Sequence, residues 1–466
     1  MVETDSVDIV VMGSGLAGTS AALHASRRGA RVLLLEKSPT LGGSAALSAG
    51  MFWTAPTLEA YERRVPLGRA DLGKAIVDDY DECVQELRDL VVRVADEPMT
   101  DIMTFGIGYS TDIHGILARC WDEIRERGSE IRVTTPVREV LRDAAGVTGV
   151  VFESADGTRH QVGATSVISA TGGFQGDPAL RASHFGPNAD RLVFRSNPGS
   201  VGDGLRMGRA VGAGGSTGMA TFYGHLLPYP MDRFEPEDFL PASQYYSSET
   251  VLVNLAGERF VDETLGDEIL NQVILHQPHA RGVLIFDEHI HRTAACSEPF
   301  PGLGANDRMQ TAIDTGARYC TADSIDELID KVGAWGIDPG NLRETLSAYV
   351  AAVANGGGPV RGVMVAPSAR APQDGPFHAL MVQPSITFTF GGLPITTDAE
   401  VLDTDARTIP GFFAAGADIG GLSNEGYAGG LAPAYITGRW AGRAAAARAV
   451  SDPVDSTIHA DGGTRR

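Results

Sequence analysis

Val7–Val11 is apolar except for Asp8, Leu16–Arg28 repeats small and apolar residues at helical spacing, and Val32–Leu35 is wholly apolar. Short apolar runs on either side of a helical segment predict two buried parallel strands and their crossover helix. The segment Gly42–Gly50 is rich in small residues and too polar and flexible for a helix interior. Helical patterns follow near Leu72–Val94 and Ile113–Arg127, and from Ile131 to Ala170 the period switches to strands. Turn signals at Asp143–Gly146 and Ala155–Gly157 make that stretch an antiparallel meander, returning to the main sheet through Ser166–Gly173. Val201–Gly212 reads as a helix with glycines on one side. Phe222–Pro241 is rich in aromatics and proline, and helices alternating with loops are expected from there to the break at Gly356–Pro359. Ile386–Phe390 and Gly411–Gly416 read as strands, Ala432–Ala447 as an alanine-rich helix, and the polar tail from Ser451 as disordered. The class is α/β.

With 466 residues there is room for two or three domains, and 43% hydrophobic content supplies a sizeable core. The formal charge of −21 disfavours nucleic acid and anionic membrane as partners. No apolar run reaches the length of a membrane span, and the first strand begins at once, so the expectation is a soluble cytoplasmic protein without a signal peptide. Cys83, Cys120, Cys296 and Cys320 show no CxxC spacing. That spacing excludes a linear iron–sulfur or haem-attachment motif, and no metal is expected. Lysine occurs only at Lys37, Lys74 and Lys331, which leaves few candidates for Schiff-base chemistry.

The turn between the first strand and helix carries the clearest chemistry. Gly13, Gly15 and Gly18 form GxGxxG between strand and helix, with Glu36 about 20 residues further on, which is the dinucleotide-binding context. Gly13 permits the tight turn, Gly15 lets backbone approach a pyrophosphate, and Gly18 lets helix and strand pack closely. The helix N-terminus offers unpaired N–H groups to phosphates, and Glu36 accepts from ribose hydroxyls.

Seven motifs in order resemble the flavoprotein-subunit superfamily of fumarate reductase and succinate dehydrogenase. They are GSGLAGTSAAL, LLLEKSPTLGGSAALSAG, VISATGGF, GDGLRMGRAVGA, VNLAGERFVDE, IPGFFAAGADIGG and GYAGGLAPAYITGRWAG. The resemblance implies a Rossmann-like FAD-binding domain with a parallel sheet and an antiparallel meander. It is split into 1–221 and 366–450 by a smaller α+β capping domain at 222–365, with 451–466 as the tail. It places the pyrophosphate on Gly13, Gly15 and Gly18, the adenosine ribose on Glu36 and the adenine on Val137, with Ala17 and Lys37 also among the cofactor contacts. It places the remainder of FAD against Gly43, Ser44, Ser48, Gly50, Thr171, Gly172 and Asp203, with Asp418 as the ribityl-binding acid. The Gly429-Gly430-Leu431-Ala432 turn would stabilise negative charge on the flavin by its N–H groups and dipole. Respiratory members attach flavin through a histidine after the glycine pair. Ser44–Ser48 contains none, so FAD is expected to be held non-covalently.

The fumarate-reducing branch grips its dicarboxylate with an arginine, a histidine and a second arginine. At those three positions this chain has Gly266, Phe388 and Tyr427, which argues against fumarate or succinate. Pro384–Phe390 and Gly426-Tyr427 look closer to the tricarballylate and ketosteroid dehydrogenases, which desaturate a Cα–Cβ bond beside a carbonyl. That chemistry needs a base, a carbonyl polariser and a hydride acceptor, and Tyr427 suits the polariser. The base is open among Tyr109, Tyr223, His225, Tyr229, Tyr245 and Tyr246. Arg195 matches a carboxylate-gripping arginine of the tricarballylate branch. Tyr427, Tyr109, Tyr246 and Arg195 are thus the catalytic candidates. The expected activity is FAD-dependent desaturation or reduction of a Cα–Cβ bond beside the ketone or carboxylate of a small molecule, as in ketosteroid or cyclic-ketone dehydrogenases, with a tricarballylate-type acid dehydrogenase as the alternative. A flavin amine oxidase or hydroxylase, and a non-catalytic FAD-binding protein, are further rivals. No second GxGxxG is apparent, so electrons are expected to pass to or from a quinone, a flavin carrier or oxygen.

Overall fold

The computed structural model describes residues 2–298 and 304–451. Val2–Met12 is central in the larger sheet, parallel to Val32–Leu35 on one side and Arg159–Ser169 on the other. Glu130–Arg132 extends the sheet beyond Val32–Leu35, and Thr408–Ala414 adds in parallel to Arg159–Ser169. All of Val32–Leu35 is buried. A parallel sheet covered on both faces has no use for polar alternation in its inner strands. The meander Val137–Arg142, Val147–Glu153, Arg159–Ser169 is antiparallel, as the turn signals predict.

Leu16–Arg27 crosses between the first two strands, and the C-terminal helix Leu431–Ser451 lies along it. Small residues allow that approach. A Cβ on Gly438 would stand 2.2 Å from the Ala17 carbonyl oxygen, and one on Gly442 2.3 Å from that of Ala21. The same helix is tied to Ala70–Asp89 through the buried Arg439, which meets Asp79 at 3.2 Å and Glu86 at 3.1 Å.

A second, antiparallel sheet orders Leu227–Pro228, Phe377–Gln383, Gly282–Asp287 and Val251–Asn254, with Tyr319–Ala322 also pairing to Phe377–Gln383. Val251, Val253, Val283, Ile285 and Met381 pack into one core, while Leu252, Leu284, Leu380 and Val382 pack into another. Both faces are therefore covered, and the strands show no alternation to distinguish them from buried helix. The helices and loops expected over this stretch surround a sheet. Phe377–Gln383 belongs to it although it lies past residue 365, where the sequence puts the return to the first domain.

Two short ladders join the sheets. Val193–Phe194 pairs with Ser385–Ile386, and Phe222–Tyr223 pairs with Phe388–Thr389. The single strand expected at Ile386–Phe390 is broken at Thr387, because its two halves take different partners. Gly43–Leu47, expected to be irregular, winds into a short 3₁₀ turn entered through positive φ at Gly42 and Gly43. The tail expected from Ser451 lies outside the described residues beyond Ser451 itself.

Gly438→Ala is expected to force the two long helices apart and cost about 1–3 kcal/mol. Urea unfolding of the purified variant measures this, and an unshifted midpoint would show that the helices yield freely.

Candidate active site

A cleft of 1910 Å³, counted out to solvent, runs from the first strand–helix turn to an aromatic end between the two sheets.

At the first end the turn is built by exclusion. A Cβ on Gly18 would lie 1.9 Å from the Gly13 carbonyl oxygen, and one on Gly13 2.4 Å from that of Ala170. Gly15 is the opposite case. Nothing stands within 4 Å of where its Cβ would be, and it lines the open cleft. It also caps a helix with no side-chain cap and no acid in its first turn. The free N–H groups there suit a phosphate. Glu36 accepts from the Ser14 amide at 2.9 Å, its hydroxyl at 2.7 Å and the Ser38 amide at 2.8 Å. These bonds fix the carboxylate on the cleft wall. The residues present fit a dinucleotide.

Gly13, Gly15, Ala17, Glu36, Lys37, Gly43, Ser44, Ser48, Val137, Thr171, Gly172, Asp203, Gly429, Gly430 and Leu431 all line this cleft. Lys37 and Asp203 meet at 2.5 Å. The remaining cofactor candidates act differently. Gly18 is packed on Gly13, Gly50 on the Thr111 carbonyl, and Ala432 is buried in the C-terminal helix. Asp418 is a correction to the expected ribityl contact. Its carboxylate accepts from Ser169 Oγ at 2.6 Å, Thr171 N at 2.7 Å, Thr171 Oγ1 at 2.9 Å and Gly173 N at 2.9 Å. It is spent on shaping the Thr171–Gly173 wall and lies outside the cleft lining.

The far end is walled by Trp53, Ile102, Met103, Tyr223, Phe239, Leu240, Tyr245, Phe388, Phe390 and Tyr427. The short ladder places Tyr223 opposite Phe388, and the Tyr223 and Tyr427 rings stack with centroids 4.0 Å apart at 26°. A Cβ on Gly430 would stand 2.9 Å from the Tyr427 hydroxyl, so that oxygen sits beside the N-terminus of the C-terminal helix. Burial raises both tyrosines above the ordinary phenol range, which keeps both hydroxyls protonated near neutral pH.

Tyr223 is not isolated. Its hydroxyl lies 2.7 Å from His225 Nε2, and His225 Nδ1 is hydrogen-bonded to Asp267 Oδ2. Ser247 Oγ donates to Asp267 Oδ1 at 2.8 Å. Burial, then the Arg195 charge, lowers the His225 pKa against the pull of Asp267, so the ring is neutral. A neutral ring donating to a carboxylate through Nδ1 must accept at Nε2, so the Tyr223 hydroxyl is the donor. The arrangement follows the hydroxyl–imidazole–carboxylate logic of acid–base triads.

Sequence reasoning named Tyr223, His225 and Tyr245 only as members of a group and missed Asp267. The other catalytic candidates lie elsewhere. Tyr109 faces Arg88, 5.0 Å from its guanidinium, and Tyr246 is core, edge-on to Phe286 at 5.2 Å. Both are corrections, since neither lines the cleft. Arg195 is also outside the lining. Its guanidinium sits 4.1 Å from the Phe239 ring centroid and donates to the Phe239 carbonyl at 2.9 Å. The charged residues lining the cleft are Glu36, Lys37 and Asp203, all toward the first end. Glu268, near the aromatic end, is pushed up to about 7 by burial.

The model of the FAD binding domain family matches residues 106–431, and that of FAD dependent oxidoreductases matches residues 8–182. The chain belongs to the FAD binding domain family, and FAD is its cofactor. It is 30% identical to a vinyl phenol reductase of Lactiplantibacillus plantarum, over 95% of this chain and 97% of that protein. It is 29% identical to an NADH:fumarate oxidoreductase of Klebsiella pneumoniae over 95% of this chain, but spans only 48% of that protein. The fold is similar to a 3-ketosteroid-Δ4-(5α)-dehydrogenase from Rhodococcus jostii, with a TM-score of 0.75, 22% identity, and 96% and 97% of the two chains covered. Among the described residues no helix is long and apolar enough to cross a membrane.

Glu36→Ala is expected to weaken FAD binding by about 1.5–3 kcal/mol through loss of a charge-assisted contact. Flavin retained through gel filtration is the readout, and full occupancy in the variant would remove Glu36 from the adenosine site.

Proposed function

We propose that this member of the FAD binding domain family exchanges hydride at a Cα–Cβ bond conjugated with the oxygen function of a small, uncharged cyclic or aromatic substrate. The observation that carries this reading is the stacked Tyr223–Tyr427 pair, with Tyr223 wired to His225 and Asp267 in an aromatic chamber lined by no arginine or lysine side chain. A carboxylate buried there would find no cation lining the wall, which disfavours a dicarboxylate or tricarballylate. Several relatives are named for carboxylates such as fumarate, but two proteins that this chain resembles fit the neutral choice. One is named for a vinyl phenol, an uncharged aromatic alkene. The ketosteroid dehydrogenase was solved with 4-androstene-3,17-dione, a neutral cyclic enone.

FAD, when bound, supplies the two-electron hydride acceptor or donor. The chain supplies the proton chemistry. Tyr427, held protonated, donates to the substrate oxygen and stabilises the negative charge that develops there, helped by the N–H groups at the start of Leu431–Ser451. Tyr223 moves the proton on carbon. For desaturation it takes the acidified hydrogen while its own proton passes to His225 Nε2, and Asp267 stabilises the resulting imidazolium. The reverse sequence delivers a proton during reduction. The relay matters because burial makes Tyr223 a poor base alone. Non-covalent attachment is favoured by a cleft lining with no histidine or cysteine. Electrons pass to or from a quinone, a flavin carrier or oxygen.

Anaerobic bleaching of the bound flavin by a panel of saturated cyclic ketones, steroids and tricarboxylates tests the substrate class. Bleaching by the acids alone would overturn it. Tyr223→Phe and Tyr427→Phe are each expected to slow substrate-driven flavin reduction by about 10²-fold or more with FAD still bound. In stopped-flow measurements, an unaffected rate in Tyr223→Phe would assign the proton transfer elsewhere.

A further inference from the structure

The second sheet carries another cluster of chemistry-bearing side chains, none of which lines the cleft. The strand Gly282–Asp287 runs into the single turn Glu288–Ile290, and His291 follows Glu288 by three residues, on the same side of that turn. His378 arrives from Phe377–Gln383, whose register sets it opposite Phe286. Glu288 Oε2 lies 3.3 Å from His291 Nδ1 and 3.1 Å from His378 Nε2, and the three atoms all fall within 4.8 Å of one another. Nitrogen and oxygen ligands of zinc stand about 2.0–2.1 Å from the ion, so the edge of their tetrahedron is about 3.3–3.4 Å. The two Glu288 separations are close to that edge.

The outer nitrogens of the two rings add an independent observation. His291 Nε2 faces Asp307 Oδ2 at 3.1 Å, and His378 Nδ1 faces the Tyr319 hydroxyl at 2.8 Å. Metal-ligating histidines are oriented in this way, each using its second nitrogen on a carboxylate or other polar group. His291 also sits where either a second ring proton or a bound cation is needed to satisfy both neighbours. It lies between two carboxylates, both acceptors only, and a neutral imidazole has one N–H to give. With a cation at Nδ1, the remaining Nε2–H donates to Asp307 and both contacts are satisfied.

We propose that Glu288, His291 and His378 bind one divalent ion of the zinc class, with Asp307 and Tyr319 orienting the two imidazoles and a water completing the tetrahedron. Two imidazoles and one carboxylate suit zinc better than magnesium or calcium, which prefer all-oxygen shells. The site clips the end of one strand to its neighbour and to the start of the helix Arg308–Asp314, which Asp307 caps. The ligands lie outside the cleft, so the ion takes no part in the flavin chemistry.

The test uses untagged, FAD-loaded full-length protein, stripped with EDTA and titrated with Zn²⁺ by calorimetry and with Co²⁺ by absorption at wavelengths beyond the flavin bands. One Zn²⁺ per chain and an intense tetrahedral Co²⁺ spectrum are expected. Glu288→Gln, whose side chain is 26% exposed, should lose about 100-fold or more in affinity, and Asp307→Asn about 10–100-fold, with the flavin spectrum unchanged. Cys296→Ser should bind as the parent does. Absence of stoichiometric Zn²⁺ in the parent protein overturns the proposal, as does undiminished affinity in Glu288→Gln or His378→Gln. Loss of binding in Cys296→Ser does so as well, because the ion would then sit on the neighbouring group His291, Cys296 and Asp307.

Discussion

The cleft exists because backbone approaches backbone where side chains would stand. Gly18 lies against the Gly13 carbonyl and Gly13 against that of Ala170, so the first helix starts in contact with two strands at once. Only glycine permits this, and the open space at Gly15 is what remains when its neighbours are drawn so close. Asp418 performs the matching task on the opposite wall. It gathers the end of Arg159–Ser169 and the Thr171–Gly173 turn around one carboxylate, so the wall is held by charge-assisted hydrogen bonds rather than apolar packing. The Trp53 carbonyl against Gly429 closes the third side in the same manner, 2.2 Å from where a Cβ would be.

That economy of side chains makes one end of the cleft a surface of N–H groups and small residues, and leaves the other to be furnished by the second sheet. The two ladders at Val193–Phe194 and Phe222–Tyr223 are each only two residues long. They nonetheless decide the chemistry, because alternation along Phe222–Tyr223 sends Phe222 into the core and Tyr223 into the cleft. His225 follows two residues on, behind Tyr223 and within reach of Asp267. A slip of one residue would turn the phenol away from the relay.

Those facts explain what could be read from the sequence. The glycine turn and Glu36 were legible because their spacing is local and each residue has one physical reason to be there. Tyr427 was legible through its position before Gly429-Gly430. The relay was not. His225 and Asp267 are 42 residues apart with no periodic signal between them, and five tyrosines of similar local context competed for the role. Tyr246 and Tyr109 differ from Tyr223 only in which face their strands and turns present. The second sheet hid for another reason: strands buried on both faces lose the period of two that identifies them. Asp418 was legible, through the resemblance, as an acid of the cofactor site, but not the direction in which it points.

The charges around the aromatic chamber bear on what it accepts. Asp267 is matched by the His225 N–H, the Ser247 hydroxyl and the Leu226 amide, so its charge is held by donors behind the wall. Glu268, raised to about 7 by burial and with Arg64 at 3.7 Å, carries only a partial charge near neutral pH. Arg195 is the opposing charge, and it is turned onto Phe239 outside the lining. On the proposed reading, a buried anionic substrate would meet no cation lining the chamber itself, the nearest, Arg195, being turned onto Phe239. A neutral conjugated ring instead meets aromatic faces, one phenol that donates, and another whose proton has somewhere to go. Burial and Arg195 both hold His225 neutral, so the imidazolium of the proposed relay depends on Asp267 to offset them.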